Sequence, residues 1–135
     1  MNLLQAISNL NPNSVVTFDG KSYTVNGVSV DVTRTEVLKE AEAVSRSELI
    51  ENVRLEVERR ILEVVSTNTQ INLSAAAAAG TLSTEQQQAF VAGVEWINAV
   101  RQAGKLLVTN ATDDYTSDIH WPAVPTNAQA LAQEF

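Results

Sequence analysis

From Thr33 to about Val65 the chain runs without a glycine or proline, and apolar residues return at Val37, Ala41 and Val44, then at Ile50, Val53, Val57, Ile61 and Val64. Steps of three and four residues are the period of an amphipathic helix. At about 1.5 Å per residue such a helix is a rod of roughly 50 Å, more than a chain of this size covers by itself. The stripe therefore predicts a partner, whether another helix or another chain, with Ile50, Val53, Val57 and Ile61 as its contact residues. Leu38, Leu49, Leu55, Leu62 and Val65 lie off the stripe and widen it, which favours burial on two sides, as in a bundle or a homo-oligomer. Glu42 with Arg46 and Glu56 with Arg60 place acid before base at the four-residue spacing that supports a helix. Their plain reading is a solvated face; their sharper one is a set of charges fixing the register of a coiled coil or partner helix.

Before this rod the period changes. Leu3, Ile7 and Leu10 mark a short helix ended by Asn11 and Pro12, because the residue before proline is pushed out of helical geometry. Asp19-Gly20 and Asn26-Gly27 then have the tolerance of positive φ that two-residue hairpin turns require. Folding on both turns sets Phe18 opposite Lys21, Val16 opposite Tyr23, Val25 opposite Val28 and Tyr23 opposite Val30. Val16, Phe18, Tyr23, Val25, Val28 and Val30 then share one face of a three-stranded meander, with Thr17, Ser22, Thr24 and Ser29 on the other. A sheet this small is marginal alone, so its apolar face should lie on a helix or on another chain. Asp31 or Thr33 is expected to cap the long helix.

After the rod the pattern lapses at Ser66 to Thr69, which predicts a break. Ala75 to Ala79 then read as a helix that lets a neighbour approach closely, with a flexible low-complexity linker as the competing reading. Gly80 ends it in the left-handed cap position. Ser83 and Gln86 form a capping box opening a helix from Thr84 to about Val108, with Phe90, Val94, Ile97, Val100 and Leu107 on its apolar side. Gly93 and Gly104 stand eleven residues apart, nearly on one line of that helix, and imply close packing, with the alanine run as the expected neighbour. Asn110 to Phe135 form a polar acidic loop, a Trp121-Pro122 and Pro125 segment, and a last short helix capped by Thr126 with Ala128, Leu131 and Phe135 on one side.

The fold expected is mainly α with a small N-terminal antiparallel β-meander: a long amphipathic helix, then a helical hairpin and an extended Trp-Pro tail. Residues 1–32 make the short helix and meander. Residues 33–109 make the helical region, divided as 33–65, 70–79 and 84–108, and residues 110–135 make the loop, Trp-Pro segment and closing helix.

The search for chemistry narrows the function. Formal net charge is -7, and six of the nine Lys and Arg residues lie in the long helix among acids. An unopposed basic face is missing, so no nucleic-acid partner is expected. Cysteine is absent, and with it any disulfide, thiolate nucleophile or cysteine metal site. Met1 to Leu10 lack the form of a secretory signal, and no stretch approaches the roughly 18 apolar residues of a membrane span, so no membrane partner is expected either. His120 is the sole histidine, which leaves one possible base and no catalytic set. Asp113, Asp114, Asp118 and His120 match no metal-ligand spacing and read as an acidic surface loop. No Gly-rich phosphate loop exists. We expect no cofactor, no metal and no enzymatic activity. Trp96 and Trp121 read as core or interface anchors.

From Ala79 onward the chain resembles the C-terminal part of tailed-phage tail fibre assembly proteins. In that family an alanine-rich helix ends in glycine, a Thr-x-Glu-like cap follows, and the next helix carries a tryptophan with a basic residue after it. The domain then closes on an Asp-Ile-x-Trp-Pro-x-x-Pro-like signature. Here these stand as Gly80, then Leu82, Thr84 and Glu85, then Trp96 and Arg101, then Asp118-Ile119-His120-Trp121-Pro122-Ala123-Val124-Pro125. The resemblance covers roughly the last sixty residues. The helix leading to Trp96 is longer than the family's usual interval, and the N-terminal meander is unlike the family's usual opening. The resemblance implies a fibre assembly chaperone or fibre-bound accessory whose partner is a phage tail fibre or other tail protein. It implies work in the host cytoplasm during assembly, with retention in the virion tail left open. Trp96, Arg101, Trp121, Pro122 and Pro125 are then the contact residues, although the tail could equally fold back on its own helices. The alternative is a structural virion subunit of tail, baseplate or fibre that self-associates through the long helix.

Overall fold

A computed structural model describes residues 3–32 and 34–135. The described residues are mainly helical, with one small antiparallel sheet near the N-terminus. Helix α1 is Leu3–Leu10, strands β1, β2 and β3 are Val16–Phe18, Tyr23–Val25 and Val28–Ser29, and helix α2 is Thr35–Val64. Helices α3 (Thr67–Ala79), α4 (Thr84–Thr109) and α5 (Thr126–Glu134) follow, with a 3₁₀ turn at Asp118–His120 before α5. The chain divides into two compact units, Met1–Glu51 and Asn52–Phe135. The two units use different buried positions of α2: Val37, Ala41 and Val44 in the first, Val53, Glu56 and Ile61 in the second.

In the first unit, Ala6 and Ile7 of α1 and Ala41 of α2 are fully buried, and Val37 and Val44 of α2 are buried as well. Asn9 Nδ2 donates to Glu40 Oε1 at 2.7 Å and ties the two helices on their polar side. Asn11 closes α1, its backbone and side-chain nitrogens both donating to the Ile7 carbonyl. The sheet has the order β1-β2-β3. Its second turn is the two-residue one expected: Asn26 and Gly27 both take positive φ, and Val25 faces Val28. Its first turn is not. Phe18 faces Tyr23 and Val16 faces Val25, so residues 19–22 form a four-residue loop in place of a two-residue turn. Asp19 stabilises it by accepting from the Lys21 and Ser22 amides at 2.9 and 2.8 Å. This slips the expected register by two residues, and an even slip keeps every side chain on its expected face. Phe18 and Tyr23 stack at 4.5 Å on the apolar face, while Thr17 and Thr24 share a 2.6 Å hydrogen bond on the other. Phe18 and Val28 remain exposed, so the apolar face is only partly covered.

Of the two caps expected for α2, Thr33 lies outside the described residues, and Asp31 stands too early: the helix begins at Thr35, and the Asp31 carbonyl accepts from the Arg34 amide at 3.3 Å. At the other end of α2 the break is shorter than expected. Ser66 Oγ accepts from the Thr69 amide and starts α3 at Thr67, since a capping hydroxyl replaces the missing apolar signal. Gly80 takes the left-handed cap conformation, with the Thr81 amide returning to the Ala76 carbonyl at 3.1 Å. The Ser83–Gln86 capping box forms in both directions.

The buried line of α4 is Ala89, Trp96, Val100, Gly104 and Leu107. It is turned from the expected one: Val94 is exposed, and Phe90 and Ile97 are half-buried. Trp96 draws the helix round, being the largest apolar group available to it. The two helical glycines are close-approach points, but not to the alanine run, which stays largely exposed. Gly93 faces Ala128 of α5, and Gly104 faces Val53 and Val57 of α2. Helix α5 begins without a side-chain cap: Pro125, not Thr126, occupies the cap position, and its carbonyl accepts from the Gln129 amide.

The glycines yield opposite expectations. A Cβ at Gly104 would stand 2.6 Å from Val57 Cγ2, a stiff β-branched methyl, whereas one at Gly93 would stand 3.5 Å from Ala128 Cβ, an ordinary contact. Gly104→Ala should lower stability by about 1–2 kcal/mol, overpacking outweighing the gain in helix propensity. Gly93→Ala should raise it by up to about 1 kcal/mol. Urea unfolding of the two variants beside the parent checks both signs.

Candidate partner-binding site

The residues expected to meet a partner divide by burial. Val53, Ile61, Trp96 and Trp121 are buried, and Val57, Pro122 and Pro125 are half-buried. All of these lie in the second unit, the first four in its core. Arg101, in the same unit, is exposed, as is Ile50 in the first unit.

The tail folds back, and two indole N–H groups pin it. Trp96 Nε1 donates to the Pro122 carbonyl at 3.1 Å, and Trp121 Nε1 donates to the Tyr115 carbonyl at 2.7 Å. Each tryptophan thus buries its ring while satisfying its one donor. Gly104 makes room for this arrangement: the edge of the Trp121 ring lies 3.9 Å from where its Cβ would be, beside Val53 and Val57.

A charged network closes over the same place. Arg60 Nε donates to Glu56 Oε1 at 2.7 Å, and Arg60 Nη2 donates to the Thr116 carbonyl at 2.8 Å and to Asp118 Oδ1 at 3.0 Å. The Arg60 guanidinium also stands 4.8 Å from the Trp121 ring centroid, within cation–π range. Arg59 completes the set with two hydrogen bonds to Glu56 and one to Glu63. The Glu56–Arg60 pair is therefore not the solvated face its spacing suggested. Glu56 is only 8% exposed, the one buried charged residue among the described residues. The hydrogen bond from Arg59 holds the Glu56 carboxyl below its ordinary 4.5, joined by Arg60 and opposed by burial. Spacing alone could suggest this pair but not its burial, because Thr116 and Asp118 lie more than fifty residues away in sequence.

His120 Nε2 lies 2.9 Å from Asp114 Oδ1, while Asp118 turns to Arg60. The acidic loop thus uses His120 and Asp114 on each other and Asp118 on α2, and among the described residues no three His, Asp or Glu side chains gather as metal ligands would. What the unit offers a partner is shape and apolar surface. Ile71, Val91, Val94, Leu106 and Ile119 remain exposed around it. A groove of about 230 Å³ lies between α3 on one side and α4 and α5 on the other. Among the described residues no helix is long and apolar enough to cross a membrane. Compared with known proteins, the chain matches no family model, no curated protein and no solved structure.

The buried carboxylate sets a pH dependence. A folded-state pKa below the unfolded one gives stability that is present above about pH 4.5 and lost as pH falls through the folded value. Glu56→Gln should cost about 1–3 kcal/mol at pH 7, and its deficit against the parent should shrink steadily below pH 4.5. Arg60→Met, which keeps apolar bulk and removes the ion pairs, should cost about 2 kcal/mol and shift tryptophan emission to the red as Trp121 loosens. Urea unfolding followed by fluorescence from pH 3 to 7 reads all three effects.

Proposed function

We propose that this chain is a phage tail fibre assembly chaperone or fibre-bound accessory protein. What carries the reading is the hydrogen bond from Trp96 Nε1 to the Pro122 carbonyl. It joins two parts of the tail fibre assembly resemblance, the helix tryptophan and the Trp-Pro segment, across 26 residues inside one compact unit. Parts that touch make a motif more specific than parts that share a composition. The surface supports the same role: Ile71, Val91 and Leu106 lie open on a protein whose net charge of -7 favours solubility. Buried Trp121 supports the assembly proteins' signature as a folding element, with its exposed neighbours and Arg101 as the groups that reach the fibre. On this reading the protein acts in the host cytoplasm while fibres form and can stay with the virion tail.

A second reading is a structural tail subunit that self-associates through the long helix. It is favoured by the large apolar residues Leu38, Ile50, Leu55 and Leu62 left exposed along α2.

Co-expression separates the two. On the first reading, the fibre polypeptide encoded alongside this chain is soluble and trimeric only when the chain is present, and the two co-purify. A fibre that trimerises equally well without the chain, and does not retain it, sinks that reading.

A further inference from the structure

The groove of the second unit and the acidic turn before Trp121 have complementary chemistry. At about 230 Å³ the groove is smaller than the roughly 300–1,000 Å³ sites of drug-sized ligands and cofactors, and suits an apolar side chain. Val65, Leu73, Trp96, Ile97 and Leu131 are among its walls, and Arg101 is the sole charged residue lining it. Arg101 is exposed, and among the described residues no carboxylate forms an ion pair with it. The groove therefore asks for an apolar side chain carried next to an acid.

The chain itself displays one. Ile119 is 82% exposed, more than any other large apolar residue described. It sits at the centre of the 3₁₀ turn Asp118–His120, and that turn is fixed on both sides. Asp118 Oδ1 binds Arg60, His120 binds Asp114, and the His120 and Trp121 amides donate to the Ser117 and Asp118 carbonyls. Covering so exposed an isoleucine is favourable, and the pinned turn removes part of the ordering cost that covering it would otherwise carry. The side chain of Asp118 beside it is 95% exposed, and Oδ1 is the oxygen given to Arg60.

We infer that Ile119 of one copy seats in the groove of a second copy, with Asp118 facing Arg101 of that second copy. Knob and groove are different surfaces, so each copy both gives and receives: the contact closes as a reciprocal pair where a two-fold axis brings both together, and otherwise grows into a ring or a chain. The inference does not rest on the fibre reading; it gives Ile119 and Arg101 to a second copy where that reading gives them to the fibre, and fibre rescue and self-assembly are measured separately.

Sedimentation velocity on the full chain over a concentration series tests it. The parent should gain mass with concentration, to a dimer where the exchange is reciprocal and beyond it where it is not. Ile119→Asp and Arg101→Glu change exposed positions, so circular dichroism should stay at the parent's level while each weakens association at least tenfold. The decisive sample is their mixture. Arg101→Glu keeps its knob and Ile119→Asp keeps its groove, so together they should form a 1:1 dimer that cannot grow. A parent that stays monomeric throughout, variants that assemble like the parent, or a mixture that stays monomeric while the parent assembles would each overturn the inference.

Discussion

One buried carboxylate organises the second unit. Glu56 lies on the inner side of α2, and an ionised carboxylate there is tolerable only if its oxygens are fully used. Arg59 and Arg60 use them, and Arg60 has donors left over once Glu56 is satisfied. Those donors reach Thr116 and Asp118, and the flat face of the guanidinium covers Trp121. The five-donor fork of arginine makes this possible; a lysine would supply the charge but not the geometry. The acidic loop is in this way held to α2 by one side chain.

The return of the loop then determines where the tail can go. Trp121 enters beside Gly104, where α2 and α4 approach closely because no side chain stands between them. Pro122 offers its carbonyl to Trp96 one helix face away, and the stiff Trp-Pro segment delivers Ala128 and Leu131 of α5 onto α4 at Gly93. Gln86 reaches Glu134 at the far end of the same packing. Each helical glycine thus serves one crossing, and the alanine run serves neither. With Leu73 as its only buried residue, α3 leans on the pair and leaves the groove beside it.

The first unit is held by less. Its centre is a small apolar cluster around Ile7, and its sheet of short strands keeps Phe18 and Val28 in contact with water. An Asx loop at Asp19 and a two-residue turn at Asn26-Gly27 supply what order the strands have through local hydrogen bonds. That economy fits a module whose open face is free to be covered from outside.

What could be read from the sequence is what the chain satisfies within a few residues. The Gly80 and Ser83 caps, the Asn26-Gly27 turn, the span of α2 and the parity of the strands all follow from donors, acceptors and backbone freedom lying three or four positions apart. Where a partner lies far along the chain, the pattern falls silent. Parity too can leave a choice open even locally: a two-residue slip of β1 leaves the hydrophobic alternation unchanged, so only the folded loop at Asp19 could decide it. Glu56 and Arg60 look like any surface pair until Asp118, 58 residues beyond Arg60, closes over them. Whether Trp121 faced a partner or its own helices was likewise a matter of tertiary structure, because Gly104 announces a close approach without saying which side chain makes it.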